Sequence, residues 1–253
     1  MAGLDLVRSL ISGGGREQAD GLLLCGDGAQ KVRPGGYTLR QAGVEVRGRT
    51  TILRHNYRST AQIVEAAIAV AGAEEVVDLD EEFRRGELLP ESDRVGAKPR
   101  LVVCDSEADE AQVIDALVDK IAAAESIGPG DIAVLAPSTS AEELADRLAQ
   151  LRSTQPLLDY DGTPSSAVKT GEWSQAKGLE FKAVIVAGCG DATFPSPGPS
   201  DEHTDELSER KALELSHLFV AMTRARDFLT LVAVDPVAPE VKSAVEEHGA
   251  VEV

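Results

Sequence analysis

Apolar residues recur along this chain in two rhythms, and the rhythms alternate. Short apolar runs mark Leu22–Cys25, Thr51–Arg54, Leu101–Cys104, Ile132–Ala136, Ala167–Thr170, Ala183–Ala187 and Phe228–Val234 as strands. Between several of them the period becomes helical. Ile63, Val64, Ala67, Ile68 and Ala71 share one face behind Ser59 and Thr60, and Gly72 suits the stop. Val113, Ile114, Leu117, Val118 and Ile121 do the same within Asp109–Ala124. Ser140 and Glu143 have capping-box spacing ahead of Leu144, Leu148 and Leu151. A short helix is expected over Val241–Glu247, and a helix whose apolar end runs through Phe219-Val220-Ala221-Met222. Buried strands alternating with helices predict an α/β fold, a parallel sheet with helices on both faces. Gly72 to Lys98 is polar, acidic and weakly patterned, and Ser196 to Ser200 is rich in Pro, Gly and Ser; both read as loops.

Composition narrows this picture. The chain has 253 residues, 43% of them hydrophobic but only 4% aromatic, so aliphatic side chains and alanine must fill the core. Its net charge of −18 argues against a general nucleic-acid-coating protein, though not against a local basic groove. Cys25, Cys104 and Cys189 lack zinc or disulfide spacing and read as buried thiols in a reducing cytoplasm. The four histidines form no ligand pattern, so no metal site is expected. No apolar run is long enough to span a membrane.

Four segments carry candidate chemistry. In Leu22-Leu23-Leu24-Cys25-Gly26-Asp27-Gly28-Ala29-Gln30, a strand ends in a glycine turn that presents Asp27 and Gln30. Ligands of open α/β sheets bind at such strand ends, although an ordinary tight turn is the simpler reading of this segment alone. In Asn56-Tyr57-Arg58-Ser59, Arg58 stands just ahead of a helix start, where backbone N–H groups favour anions, and Tyr57 offers a flat face for a base. A helix cap with a solvated arginine fits equally well. In Ala176-Lys177-Gly178-Leu179-Glu180-Phe181, Gly178 permits close approach of a ligand, Lys177 is a cation and Glu180 can accept from a sugar hydroxyl. In Val220-Ala221-Met222-Thr223-Arg224-Ala225-Arg226, Arg224 and Arg226 are positioned beside a strong strand. Guanidinium groups stay charged and meet phosphate oxygens in a bidentate way. Cations satisfying a helix C-terminus are the alternative, which explains one arginine more easily than two.

In this order the four segments resemble motifs III, IV, V and VI of the UvrD/Rep family of superfamily 1 DNA helicases. The resemblance runs from about Leu22 to Val234. It implies a RecA-like, P-loop NTPase-type parallel sheet, and an ATP- and Mg2+-dependent motor that tracks single-stranded DNA in the 3′-to-5′ direction. Carried over, Gln30, Arg58 and Arg224 would contact the γ-phosphate or its attacking water. Tyr57 would stack on adenine, and Glu180 would hold the ribose. Asp27, Lys177, Gly178 and Arg226 would line the nucleotide. Trp173, Ser174 and Gln175 would help grip the DNA.

The chain also departs from the family. No G-x-x-x-x-G-K-[ST] phosphate loop occurs, and Asp80-Glu81-Glu82-Phe83 comes too late to be the family's magnesium-binding strand. Residues 1–50 are therefore expected to be the end of a first motor domain, 51–235 the second motor domain and 236–253 a tail. The magnesium ligands would lie in a missing first-domain half, supplied in cis or in trans. The isolated chain is then expected to lack ATPase activity. Glu172 and Ser174 replace the family's Thr-x-His before Ala-Lys-Gly, which weakens the DNA-contact assignment. A non-catalytic module that binds DNA or a protein partner remains the alternative.

Overall fold

The computed structural model describes Leu23, residues 56–71, 92–125, 127–198 and 203–249, and the backbone of 75–78, 81–84 and 250–252. The segment carrying Asp27 and Gln30, and the expected strands Leu22–Cys25 (Leu23 apart) and Thr51–Arg54, lie outside these residues.

The first element is helix α1, Ala61–Ala71, which buries Ile63, Val64, Ala66, Ala67, Val70 and Ala71. The stretch after it, expected as loop, contains an antiparallel hairpin. Strands β1, Glu75–Asp78, and β2, Glu81–Arg84, pair with Val76 opposite Phe83. The chain then enters β3, Arg100–Cys104, α2, Glu107–Glu125, and β4, Ile132–Ala136. Helix α3, Ala141–Ala149, leads to β5, Thr154–Pro156, and β6, Val168–Glu172. Strand β7, Phe181–Val186, helix α4, Thr204–Met222, and β8, Ala225–Val234, follow. Helix α5, Pro239–His248, and β9, Ala250–Glu252, complete the described chain.

The main sheet has seven strands in the order β5-β6-β4-β7-β8-β3-β9. Every pairing in it is parallel. Strand pleating sends alternate side chains to opposite faces. Ile132, Val134, Ala183, Ile185 and Val232 join Ile114, Val118, Leu144 and Leu148 of α2 and α3 on one face. Ala133, Leu135, Val184, Val186 and Leu231 meet Ile63, Leu218, Phe219, Val241 and Val245 of α1, α4 and α5 on the other. The central strands are thus apolar on both sides, as their continuous runs predict. The expected two-faced α/β sheet is the observed fold.

Three local expectations are corrected. The Ser140/Glu143 capping box does not form. The Ser140 side chain makes no capping bond, and its buried Oγ has no hydrogen-bond partner. Leu151 falls beyond the end of α3 and is exposed, so it is not on the apolar face of that helix. The expected tail contributes α5 to the core and β9 to the sheet edge, with Ala250 opposite Arg100.

Candidate functional site

The site is built where the N-terminus of α1, the turn before β7 and the junction of α4 with β8 meet. Asn56 shapes the first part. Its Oδ1 accepts from the backbone N–H of Arg58 at 2.8 Å and of Ser59 at 3.2 Å. This Asx turn sets the chain direction. Tyr57 is left 76% exposed and Arg58 points outward, while Ser59 and Thr60 are buried. Ser59 Oγ donates to the Ala225 carbonyl at 2.7 Å and to the Thr223 carbonyl at 3.4 Å. The Asn-Tyr-Arg-Ser segment is therefore bolted to the α4–β8 junction.

The second part is the turn 176–180. Leu179 N–H donates to the Ala176 carbonyl at 3.1 Å. Gly178 adopts φ +86°, a left-handed conformation that costs glycine little. A Cβ built there meets nothing within 4 Å, so the turn opens to solvent. Lys177, Gly178 and Glu180 are all exposed. Arg58 Nε lies 2.7 Å from Glu180 Oε2, with the two side chains 42% and 47% exposed. So exposed an ion pair is worth only ~0–1 kcal/mol. A phosphate oxygen can replace that carboxylate at little cost.

Arg224 behaves differently. It is 2% exposed, among the largest fully buried side chains described. Its Nε donates to the Val220 carbonyl at 3.0 Å, Nη1 to the Leu179 carbonyl at 3.4 Å and Nη2 to Thr223 Oγ1 at 3.1 Å. Its own carbonyl accepts from Phe181 N–H at 3.0 Å. In this arrangement Arg224 closes the C-terminus of α4, which carries excess carbonyls, and pins the turn that holds Glu180. Arg226 is half-buried on β8. Arg58 and Arg224 thus face one locality, joined through Leu179-Glu180.

The DNA-facing assignment is corrected at Trp173. Its indole is 2% exposed and packs edge-on against Phe194, with centroids 5.7 Å apart. A ring so placed cannot stack on a base. Ser174 and Gln175 use polar groups locally. Ser174 Oγ donates to Glu172 Oε2 at 3.2 Å, and Glu172 N–H donates to Gln175 Oε1 at 3.1 Å. Glu172 and Gln175 form a reciprocal capping box on the short 3-10 turn Trp173–Ala176. Its E-x-x-Q spacing was visible in the sequence, as was the Asx-turn signal of Asn56. Arg94 and Asp227, which also meet here, carried no such signal. Among the described residues, no group of three His, Cys, Asp or Glu side chains could hold a metal ion, and no helix is long and apolar enough to cross a membrane.

Residues 174–235, from the turn after β6 to the end of β8, match the family model of the UvrD-like helicase C-terminal domain. That segment is similar to the C-terminal domain of UvrD-like helicases. Over 82 residues it is 40% identical to a probable DNA helicase of Mycoplasma pneumoniae (strain ATCC 29342 / M129 / Subtype 1), covering 32% of this chain and 15% of that protein. The chain therefore corresponds to a small part of that relative's length. The crystal structure of the C-terminal domain of a possible DNA helicase from Lactobacillus plantarum WCFS1 has the same fold. The two superpose with a TM-score of 0.52 at 21% identity, covering 78% of this chain and 98% of that one. The matched segment includes the turn 176–180 and Arg224 and leaves Tyr57 and Arg58 outside it.

Proposed function

We propose that this chain supplies the second motor domain of an ATP-driven 3′-to-5′ DNA helicase or translocase, completing a nucleotide site that a first motor domain opens. Residues 1–50 belong, on this reading, to that first domain, where Asp27 and Gln30 would face the phosphates. What supports it is the 2.7 Å contact of Arg58 with Glu180 beside the Leu179 carbonyl that holds Arg224. Three segments far apart in sequence converge there on one polar surface. Tyr57 stacks on adenine, Glu180 takes the ribose hydroxyl, Gly178 admits the nucleotide and Lys177 and Arg226 add positive charge. Arg58 exchanges Glu180 for a γ-phosphate oxygen. Arg224 joins it when closure of the two domains draws the 176–180 turn away from the α4 C-terminus. Mg2+, when bound with ATP, neutralises phosphate charge, and the phosphate loop and metal carboxylates come from the other domain.

An arginine that stabilises a transferring phosphoryl group is typically worth ~10³–10⁵ in rate, or roughly 4–7 kcal/mol. DNA-stimulated ATP hydrolysis is therefore measured for this chain alone and with a separate chain carrying a Gly-Lys-Ser/Thr phosphate loop. The chain alone is inactive and the mixture hydrolyses ATP. Arg58→Ala and Arg224→Lys each abolish most of that rate, with thermal melts showing the variants folded. A mixture that works equally well with both variants rules the reading out.

The burial of Arg224 favours a second reading, a binding module that does not use ATP. It requires single-strand affinity to be indifferent to nucleotide, which a titration with and without ATP decides.

A further inference from the structure

A brace that neither motif contains ties the two arginine-bearing segments together. It is the stretch Ser92 to Gly96, and its centre is Arg94. Ser92 Oγ donates to the Ser59 carbonyl at 2.7 Å and accepts from Arg94 N–H at 3.3 Å. The Arg94 carbonyl accepts from Ala61 N–H at 2.7 Å, satisfying the first N–H of α1 in place of a side-chain cap. Gly96 N–H donates to Gln62 Oε1 at 2.9 Å. The guanidinium reaches further still. Nη1 donates to the carbonyls of Arg58 and, at 3.3 Å, Arg226, while Nη2 is paired with Asp227 Oδ1.

One planar fork therefore holds the backbone of Arg58, the backbone of Arg226 and a carboxylate on β8. The Arg94 and Asp227 side chains are about one-third exposed. A lysine keeps the charge but has no flat array of donors with which to span all three acceptors. We propose that Arg94 is a positioning residue for ATP hydrolysis. It locks the Asn-Tyr-Arg-Ser turn to the start of β8, so that Arg58 and the Arg224–Arg226 segment present to the nucleotide as one rigid unit. This rests on the composite ATP site proposed above. Arg94 itself touches no phosphate.

The test uses the whole chain in the two-chain ATPase assay, with Arg94→Gln, Arg94→Lys, Arg58→Ala and the double variant Arg58→Ala/Arg94→Gln. Misplacement of a positioned group by about 1 Å can cost ~10²-fold in rate. Both Arg94 variants are thus expected to lower kcat on the order of 10–100-fold while leaving KM for ATP within about threefold, because the lost interaction belongs to the transition state. The double variant loses clearly less than the product of the two single losses. In the chain by itself, amide hydrogen exchange at Ser59 and Ala61 quickens in Arg94→Gln, while the amides of β7 keep their protection. Should Arg94→Gln prove too unstable to assay, Arg94→Lys and Asp227→Asn decide the matter by the same readouts. An impaired Arg58→Ala beside normal Arg94 variants overturns this inference alone. A double variant that multiplies the two losses also overturns it. A fully active Arg58→Ala overturns it together with the composite-site reading.

Discussion

Lys169 sits in β6 at 1% exposure with neutral partners. Its Nζ donates to Ser165 Oγ and to the Ala167 carbonyl, each at 2.8 Å, and lies 5.0 Å from the Tyr160 ring centroid. Burial holds its pKa below the ordinary lysine value, with the Asp131 charge opposing that shift. Removing one such charge while keeping the stem volume is often neutral or stabilising. Lys169→Met is therefore expected to change unfolding free energy by no more than about 1 kcal/mol at neutral pH, and Lys169→Ala to lose about 2 kcal/mol or more through the cavity. Urea melts at several pH values check the sign as well. A lysine with a lowered folded pKa binds its proton more weakly in the native state, so its cost fades as pH climbs towards the unfolded value. The wild type should gain stability across that alkaline range relative to Lys169→Met. Cys104 and Cys189 invite a second expectation. Burial, with the Glu110 charge next, pushes the Cys104 thiol up to about 11, and the same two causes raise Cys189 further. Thiolate is the reactive form. Neither should react with iodoacetamide at neutral pH on the timescale of an exposed thiol, and both should react in denaturant. At this scale the sequence was informative wherever a side chain acts locally. The helix start behind Tyr57 and Arg58 and the open turn at Gly178 and Glu180 could be read from their neighbours in the chain. Trp173 could not, because its burial depends on Phe194, and Arg94 could not, because its acceptors lie in α1 and β8.

Helix caps give the element scale its sharpest contrast. Ser140 has the right spacing but its Oγ bonds to nothing, whereas Glu172 and Gln175 complete a working box. A functioning cap is worth about 0.5–2 kcal/mol. Ser140→Ala should therefore be silent within ~0.5 kcal/mol, and Gln175→Ala should cost about 1 kcal/mol; chemical denaturation of the two variants separates the cases. Gly130, in the turn before β4, makes a stronger demand. A Cβ there would lie 1.6 Å from the Ser165 carbonyl oxygen, a backbone atom with no rotamer to yield. Gly130→Ala should lower stability by at least ~1–3 kcal/mol and displace the loop that carries Ser165, one of the partners of Lys169. The strongly periodic elements are legible in the sequence. α2 was expected over Asp109–Ala124 and spans Glu107–Glu125, and β4 matches over Ile132–Ala136. The elements that escaped are the three-residue edge strands β5 and β9 and the β1–β2 hairpin. Each is short, and its pairing is set by a partner outside its own few residues. Too few residues repeat for a period to show.

At the scale of the molecule, the described helices α1 to α5 pack on the two faces of the seven-stranded parallel sheet, and Glu110 lies where those layers meet its strand ends. It belongs to the first turn of α2, is 8% exposed, and accepts from Gly188 N–H at 3.2 Å. Gly188 lies two residues beyond the end of β7, close against Pro137 beyond the end of β4. The carboxyl therefore ties α2 to the junction of the two central strands. Burial raises its pKa most; the Gly188 hydrogen bond and the Arg147 charge pull the other way, and Glu107 adds to the rise. A carboxyl with a raised folded pKa binds its proton more tightly in the native state. Its contribution is thus fully present below the unfolded value and is lost as pH rises through the folded one. Above the folded value the protein carries a poorly solvated anion that a neutral isostere would avoid. In Glu110→Gln the amide oxygen can still accept from Gly188, and the charge is gone. That variant should be more stable than the wild type by about 1 kcal/mol where the carboxyl is ionised, above its raised folded pKa, with the advantage shrinking as pH falls towards the ordinary carboxylate range. Glu110→Ala removes the acceptor as well and should lose stability at every pH, because Gly188 N–H is left buried without a partner. Urea midpoints of the three proteins between pH 4 and pH 8 decide it. A Glu110→Gln curve parallel to the wild type would mean that the carboxyl is no source of the pH dependence, and that the junction of α2, β4 and β7 tolerates a buried charge without cost.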